Sequence, residues 1–216
     1  MDSGEKAANR PRERIIKTAR DLFRRHGIRG VGVDTIAEKA GTNKMTLYRH
    51  FHSKDELVIV CLREFEHDAD ALWQSLELSH PDNPMAQLHG WVRLAAGWAL
   101  GDLRGCDMAN VAIELAEDQH PARHVIEEFK TAQRNRLAKL CRDAGIAKAD
   151  QLADTLALLI EGARVSIQSV GPEGPGARFI SIAEEVIAVF AHEARAAKPQ
   201  RRKPSRKRKA AIKPVA

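Results

Sequence analysis

Apolar residues recur at three- and four-residue intervals along most of the chain, the spacing of one face of an α-helix. Ile15, Ile16, Ala19, Leu22 and Phe23 form the first stripe, which predicts a helix from near Arg10 or Pro11 to about His26, stopped by Gly27. Gly30 and Gly32 mark a loop. A second short helix is predicted over 33–40, with Asp34 as its cap. Gly41 then makes a turn, Thr42 or Asn43 caps a third helix, and Phe51 closes it. Ser53 followed by Glu56 is a capping-box pattern that opens a fourth helix. The fourth stripe runs on through Val58, Cys61, Leu62, Phe65, Ala69, Leu72, Trp73 and Leu76, a length suited to a connector between two domains.

His80-Pro81-Asp82-Asn83-Pro84 interrupts the pattern, and Leu88, Trp91, Val92, Ala95, Trp98 and Ala99 resume it as a fifth helix. After a break at 101–105, Met108, Val111, Ala112 and Leu115 mark a sixth, and Pro121 opens a seventh that runs to about Asp143. Two strongly apolar segments follow: Leu152, Leu156, Leu159, Ile160, Ala163 and Ile167, then Phe179, Ala183, Val186, Ile187 and Phe190, widened by Ile180, Ile182 and Val189. The GPEGPG stretch at 171–176 is a turn between them. The predicted fold is therefore all-α with about nine helices. Helices apolar on more than one face need more burial than one partner supplies. A four-helix interface between two copies of the segments at 150–170 and 177–194 would provide it, so a homodimer is expected.

Charge divides the chain. The formal net charge of +6 splits into 13 Lys+Arg against 8 Asp+Glu over 1–56, 13 against 21 over 57–197, and 9 against none over 198–216. Only the two ends suit a polyanion. Residues 198–216 carry three prolines and no stripe, which predicts a disordered basic tail. Such a polycation either adds salt-sensitive phosphate contacts or serves as a solubilising appendage. The expected domains are a flexible arm at 1–9, a small helical head at 10–56, a larger helical body at 57–197 and the tail at 198–216. No apolar run is long enough to span a bilayer and no signal peptide is visible, so a cytoplasmic, non-membrane protein is expected.

Cys61, Cys106 and Cys141 are odd in number and far apart, which fits buried thiols rather than a disulfide framework or zinc site. A redox-sensing thiol at Cys106, beside Gly105, is the other reading. His120 and His124 have the i, i+4 spacing of metal ligands, but Pro121 sets His120 ahead of the helix and no third ligand follows. No nucleophile–base set, phosphate-cradling glycine loop or dinucleotide fingerprint appears, so neither an enzyme nor a cofactor is indicated.

The head carries the most specific chemistry. Two short helices joined across Ala40-Gly41-Thr42 fit a helix-turn-helix, with Ile36, Ala37, Ala40 and Leu47 facing inward. The second of them bears Asn43, Lys44, Met45, Thr46, Tyr48, Arg49 and His50. Lys44 suits guanine O6 and N7, and Met45 or the Thr46 methyl suits a thymine methyl. Tyr48, His50 and Lys54 suit phosphates.

From Arg14 to about Leu57 the sequence resembles the tetracycline-repressor-like (TetR) family of bacterial regulators. The resemblance rests on Ile15-Ile16, Ala19, Leu22-Phe23 and Gly27, then IAEKAG, TLYRHF and SKDEL. It implies a homodimer with an N-terminal DNA-binding domain and a C-terminal domain for effector binding and dimerisation. By motif position it assigns DNA contacts to Lys44, Met45, Thr46, Tyr48, Arg49, His50 and Lys54. One departure is Val31-Gly32-Val33-Asp34, where members often carry Thr or Ser against phosphate; Thr35 or Arg29 is left to supply that contact. The resemblance also implies an effector cavity among helices four to eight. Phe65, Trp91, Trp98, Met108 and Phe129 are candidates to line it, with Asn110, Glu114 and Glu161 as polar groups; any one of them also reads as plain core. An acidic group there would favour a cationic or hydroxylated ligand.

The expected function is a repressor released from a palindromic double-stranded DNA operator by a small-molecule effector. The alternative is an architectural DNA binder relying on the basic tail. An enzyme with a vestigial DNA head is a third class, with no catalytic set to support it.

Overall fold

The computed structural model describes the backbone of residues 2–101, 104–115 and 119–196, and the side chains of 11–98, 101, 104–115 and 119–193. The described helices are α1 (Asp2–His26), α2 (Val33–Lys39), α3 (Lys44–His50), α4 (Lys54–Ser79), α5 (Pro84–Leu100), α6 (Asp107–Glu114), α7 (Pro121–Asp143), α8 (Ala149–Val170) and α9 (Phe179–Ala196), with a 3-10 turn at Pro175–Arg178. No strand occurs among the described residues. The all-α expectation holds. The tail expected at 198–216 lies outside the described residues.

The caps explain most of the boundaries. Asn43, rather than Thr42, caps α3: its side-chain oxygen accepts from Thr46 N at 2.8 Å. Ser53 Oγ accepts from Glu56 N at 3.0 Å, and Glu56 reaches back to His52 N at 2.7 Å, one residue beyond the usual capping-box donor. Pro84 and Pro121 each stand at a first helical turn, where a missing N–H costs nothing.

Two expectations fail locally. Helix α1 begins at Asp2 rather than near Arg10 or Pro11. Glu5, Lys6, Ala7 and Ala8 are good helix formers, and Pro11 keeps a helical φ although it has no N–H to give the carbonyl of Ala7. Asp34 does not cap α2; Gly32 occupies that position without a side-chain bond, and Asp34 lies in the first turn, paired with Lys44 Nζ at 3.1 Å.

Three apolar cores follow one another along α4. The head core gathers Ile15, Ile16, Ala19 and Leu22 of α1, Ile36 and Ala37 of α2, Leu47 of α3, and Leu57 and Cys61 of α4. A junction core joins Ile28, Val58, Leu62 and Ala69 to Cys106, Met108, Val111, Val125, Ile126 and Phe129. The distal core joins Trp73 and Leu76 to α5, α7, α8 and α9. At 26 residues, α4 is about 39 Å long and contributes to all three. A boundary at 56/57 therefore cuts the first turn of a shared rod, since Leu57 and Cys61 belong to the head's core.

Candidate nucleic-acid interface and effector cavity

The head presents α3 outward on a fixed base. Leu47 and Phe51 are fully buried, and Gly41 turns the chain with φ +65°, a conformation open to glycine. Met45 is left 83% exposed and Tyr48 41% exposed. Asn43, Lys44 and Arg49 are exposed as well, whereas Thr46 and His50 are half-buried. The sequence therefore places Lys44, Met45, Tyr48 and Arg49 on one accessible helix. Asn43 spends its side-chain acceptor on the cap. Lys44 is held by Asp34, but an exposed pair of this kind is worth about 0–1 kcal/mol and yields readily to a phosphate or base edge.

Lys54 also reaches into the fold. Its ammonium donates to the Ile28 carbonyl at 2.5 Å, and partial burial lowers its pKa against the raising influence of Asp55 and Glu114. It braces the start of α4 against the α1–α2 loop with one of its three N–H donors.

That loop is gripped from the body as well. Glu114, near the end of α6, accepts from Ile28 N at 2.6 Å and Arg29 N at 3.1 Å. Gly27 makes this approach possible: its φ is +72°, and a Cβ there would lie 2.8 Å from the Glu114 carboxylate. Two ion pairs add to the link, Arg20–Asp68 at 2.5 Å and Arg24–Asp107 at 2.7 Å. Glu114 thus clamps the head to the body and does not line the cavity among α4, α5, α7 and α8.

The cavity itself lies in the body, between α4, α5, α7 and α8, with a volume of about 140 Å³. Phe65, Trp91, Trp98, Phe129 and Glu161 line it, joined by Trp73 and a run of aliphatic side chains. Phe65 packs edge-on against Phe129 at 5.5 Å and tilted against Trp98 at 5.4 Å. Met108 is fully buried in the junction core, and Asn110 donates to the Arg104 carbonyl at 2.7 Å; neither reaches the cavity. Asn110 and Glu114 line a different groove, with Phe23 and Ile28.

The polar part of the wall is richer in cations than expected. Lys130, Arg134 and Arg164 stand with Glu161, and Gln133 accepts from Trp73 Nε1 at 2.6 Å. Glu161 is already bound to the Lys130 ammonium, so it does not offer the free negative charge that would favour a cation. Sequence reading missed these cations because each lies on a helix that also carries an outward face. The available signal was local: Arg164 follows Glu161 by three residues, the spacing of neighbours on one helical side.

The remaining candidates resolve simply. Burial pushes the Cys61 and Cys141 thiols up to about 12, and Cys106 is buried with Lys130 Nζ 3.6 Å from its sulfur. His120 caps α7 and His124 pairs with Glu128 at 3.1 Å, so the two do not converge. Among the described residues no His, Cys and carboxylate cluster has metal-site geometry, and no helix is long and apolar enough to cross a membrane.

Residues 15–61 match the family model for bacterial regulatory proteins of the tetR family. Over 107 residues the chain is 29% identical to the HTH-type transcriptional regulator TcmR of Streptomyces glaucescens, covering 49% of this chain and 46% of that protein. Over 90 residues it is 32% identical to the HTH-type transcriptional repressor KstR2 of Mycobacterium tuberculosis, covering 42% and 44%. These matches span less than half the length of the curated relatives. A crystal structure of a TetR-family transcriptional regulator from Streptomyces coelicolor superposes with a TM-score of 0.79 at 24% identity, covering 85% of this chain and 97% of that one, a likeness of fold.

Proposed function

We propose that this chain, whose residues 15–61 match the tetR family model, is a ligand-responsive DNA-binding transcriptional regulator of that family, a repressor that leaves a palindromic operator when a small molecule binds its body. The observation that carries this reading is the exposed set Lys44, Met45, Tyr48 and Arg49 on a helix whose base is fully buried. Two such helices on a dimer would enter successive major grooves. The dimer surface is the outer face of α8 and α9, where Leu158, Val165, Ile182 and Val189 remain exposed. The effector site is the cavity against α4. A ligand that moves α4 strains the Arg20–Asp68 and Arg24–Asp107 pairs and the Glu114 clamp, and so shifts the heads. Such coupling is typically about 1–3 kcal/mol.

Footprinting on operators selected from random DNA tests the reading. Lys44→Ala with Tyr48→Phe is expected to abolish protection while the dimer stays intact by light scattering; unchanged protection would refute the assignment. The nine basic residues at 198–216 favour a second reading, sequence-independent binding through the tail. Truncation after Lys198 separates the two. The repressor reading expects a modest, salt-dependent loss of affinity for the operator, and the architectural reading expects loss of all binding.

A further inference from the structure

We infer that the body cavity takes a compact aromatic carboxylate, with the ring among Phe65, Trp98 and Phe129 and the carboxylate on Arg164. The inference deepens the effector reading above and rests on it for its regulatory meaning. It rests on size, wall chemistry and an imbalance of charge.

An apolar cavity of about 150 Å³ accommodates a benzene ring. This one measures about 140 Å³, and in its wall Phe65 packs against Trp98 at 5.4 Å and against Phe129 at 5.5 Å. A single ring fits within it.

Charge then selects the head group. Of the cations in the wall, Arg134 is fully engaged, donating to Asp154 at 2.6 and 3.0 Å and to Asp150 at 2.8 Å. The other two, Lys130 and Arg164, share one carboxylate. Lys130 holds Glu161 Oε1 closely, which leaves Arg164 with that same oxygen at 3.5 Å, its one acceptor among the described residues. Yet the Arg164 side chain is only 14% exposed. A guanidinium carries five donors, and one largely withdrawn from water needs acceptors. A ligand carboxylate meets that fork with two parallel bonds, which neither an alcohol nor an amine can do. A cation would meet two positive groups and a carboxylate already neutralised. Arg164 also lines the adjoining groove with Arg20, Arg24, Asp68 and Asp107. The ligand's charge would therefore sit beside the ion pairs that tie α1 to the body.

The experiment titrates the full-length protein with phenylacetate, 2-phenylethanol and 2-phenylethylamine, one ring with three head groups. All three tryptophans of the chain line the cavity, so intrinsic fluorescence reports occupancy, checked by calorimetry. Phenylacetate is expected to bind at least about tenfold more tightly than the alcohol, with the amine weakest. Arg164→Gln is expected to reduce the acid's advantage to about twofold or less and leave the alcohol unchanged. Arg164→Lys, which keeps the charge but not the fork, is expected to fall between. If Arg164→Gln does not fold, the head-group series on the wild type and Arg164→Lys decide. Equal binding of acid and alcohol, tighter binding of the amine, an acid preference that survives Arg164→Gln, or no binding of any of the three overturns the inference. Operator release by phenylacetate is measured separately. Acid-selective binding without release leaves the ligand class standing and counts against ligand-responsive regulation.

Discussion

Replacing Glu114 with alanine is expected to loosen the head from the body by an amount that can be worked from the geometry. The carboxylate accepts two backbone N–H groups, Ile28 at 2.6 Å and Arg29 at 3.1 Å. Hydrogen bonds to a charged group are worth about 1.5–3 kcal/mol each, and the one at exposed Arg29 counts for the least, so the loss is about 2–3 kcal/mol. For a chain of this length that corresponds to a fall of roughly 4–12 °C in Tm. Amide exchange at Ile28 and Arg29 should accelerate by about 30-fold or more, since 1.4 kcal/mol is tenfold. A second substitution sharpens the test. Gly27→Ala would place a Cβ 2.8 Å from the same carboxylate at a φ of +72°. Alone it should cost about 1–2 kcal/mol in backbone strain and, in addition, most of the Glu114 bonds it displaces. In the Glu114→Ala background only the backbone strain remains, so the double variant should be about 2 kcal/mol less destabilised than the sum of the singles. Urea unfolding of the four proteins measures the cycle. Strict additivity, or a Glu114→Ala protein within about 0.5 kcal/mol of wild type with unaltered exchange at 28 and 29, would refute the clamp.

Leu158→Glu with Val165→Glu puts two charges on the outer stripe of α8, at side chains 74% and 60% exposed in the single chain. The monomer should fold normally, and light scattering should register half the wild-type mass; a wild-type monomer, or a variant still dimeric, argues against this interface. Glu56 has its pKa held below the usual carboxylate value, chiefly by the His52 backbone N–H and then by the His52 side chain. Its contribution is therefore present above the unfolded value near 4.5 and lost as pH falls through the lower folded value. The stability gap between wild type and Glu56→Gln should be constant at neutral pH and close in acid, as read by urea unfolding at stepped pH; a gap that widens in acid contradicts the bond. Cys61 and Cys141 have thiols pushed to about 12 by burial. They should resist a thiol-reactive dye at pH 8 in the native state and react once unfolded, and between pH 9 and 12 they should lower stability as pH rises, because only the unfolded thiols ionise.

The helices and the head were legible in the sequence because the interactions that make them are local. Caps such as Asn43 and Ser53 act over three residues, and apolar stripes act over single turns. Contacts that cross the fold were not legible. Glu114 meets Ile28 across 86 positions of sequence, and nothing in its own neighbourhood marks it as a clamp rather than a cavity group. Lys54 belongs to the SKDEL motif, which implies a phosphate contact, and a carbonyl 26 residues earlier takes one of its three donors. Met108 shares a periodicity with cavity residues and is nevertheless sealed in the junction core.

Local patterning was enough to number the helices, to put nearly all their ends within a turn except the start of α1, and to give α3 a polar outer face. Which charges are already spent depends on contacts across the fold. Glu161 is spent on Lys130, and Arg134 on Asp150 and Asp154, while Arg164 keeps most of its donors unmatched. The reason is physical: a helix turn is fixed by residues a few positions apart, but the worth of a charge depends on which opposite charge the fold brings within a few ångströms and how much water it excludes.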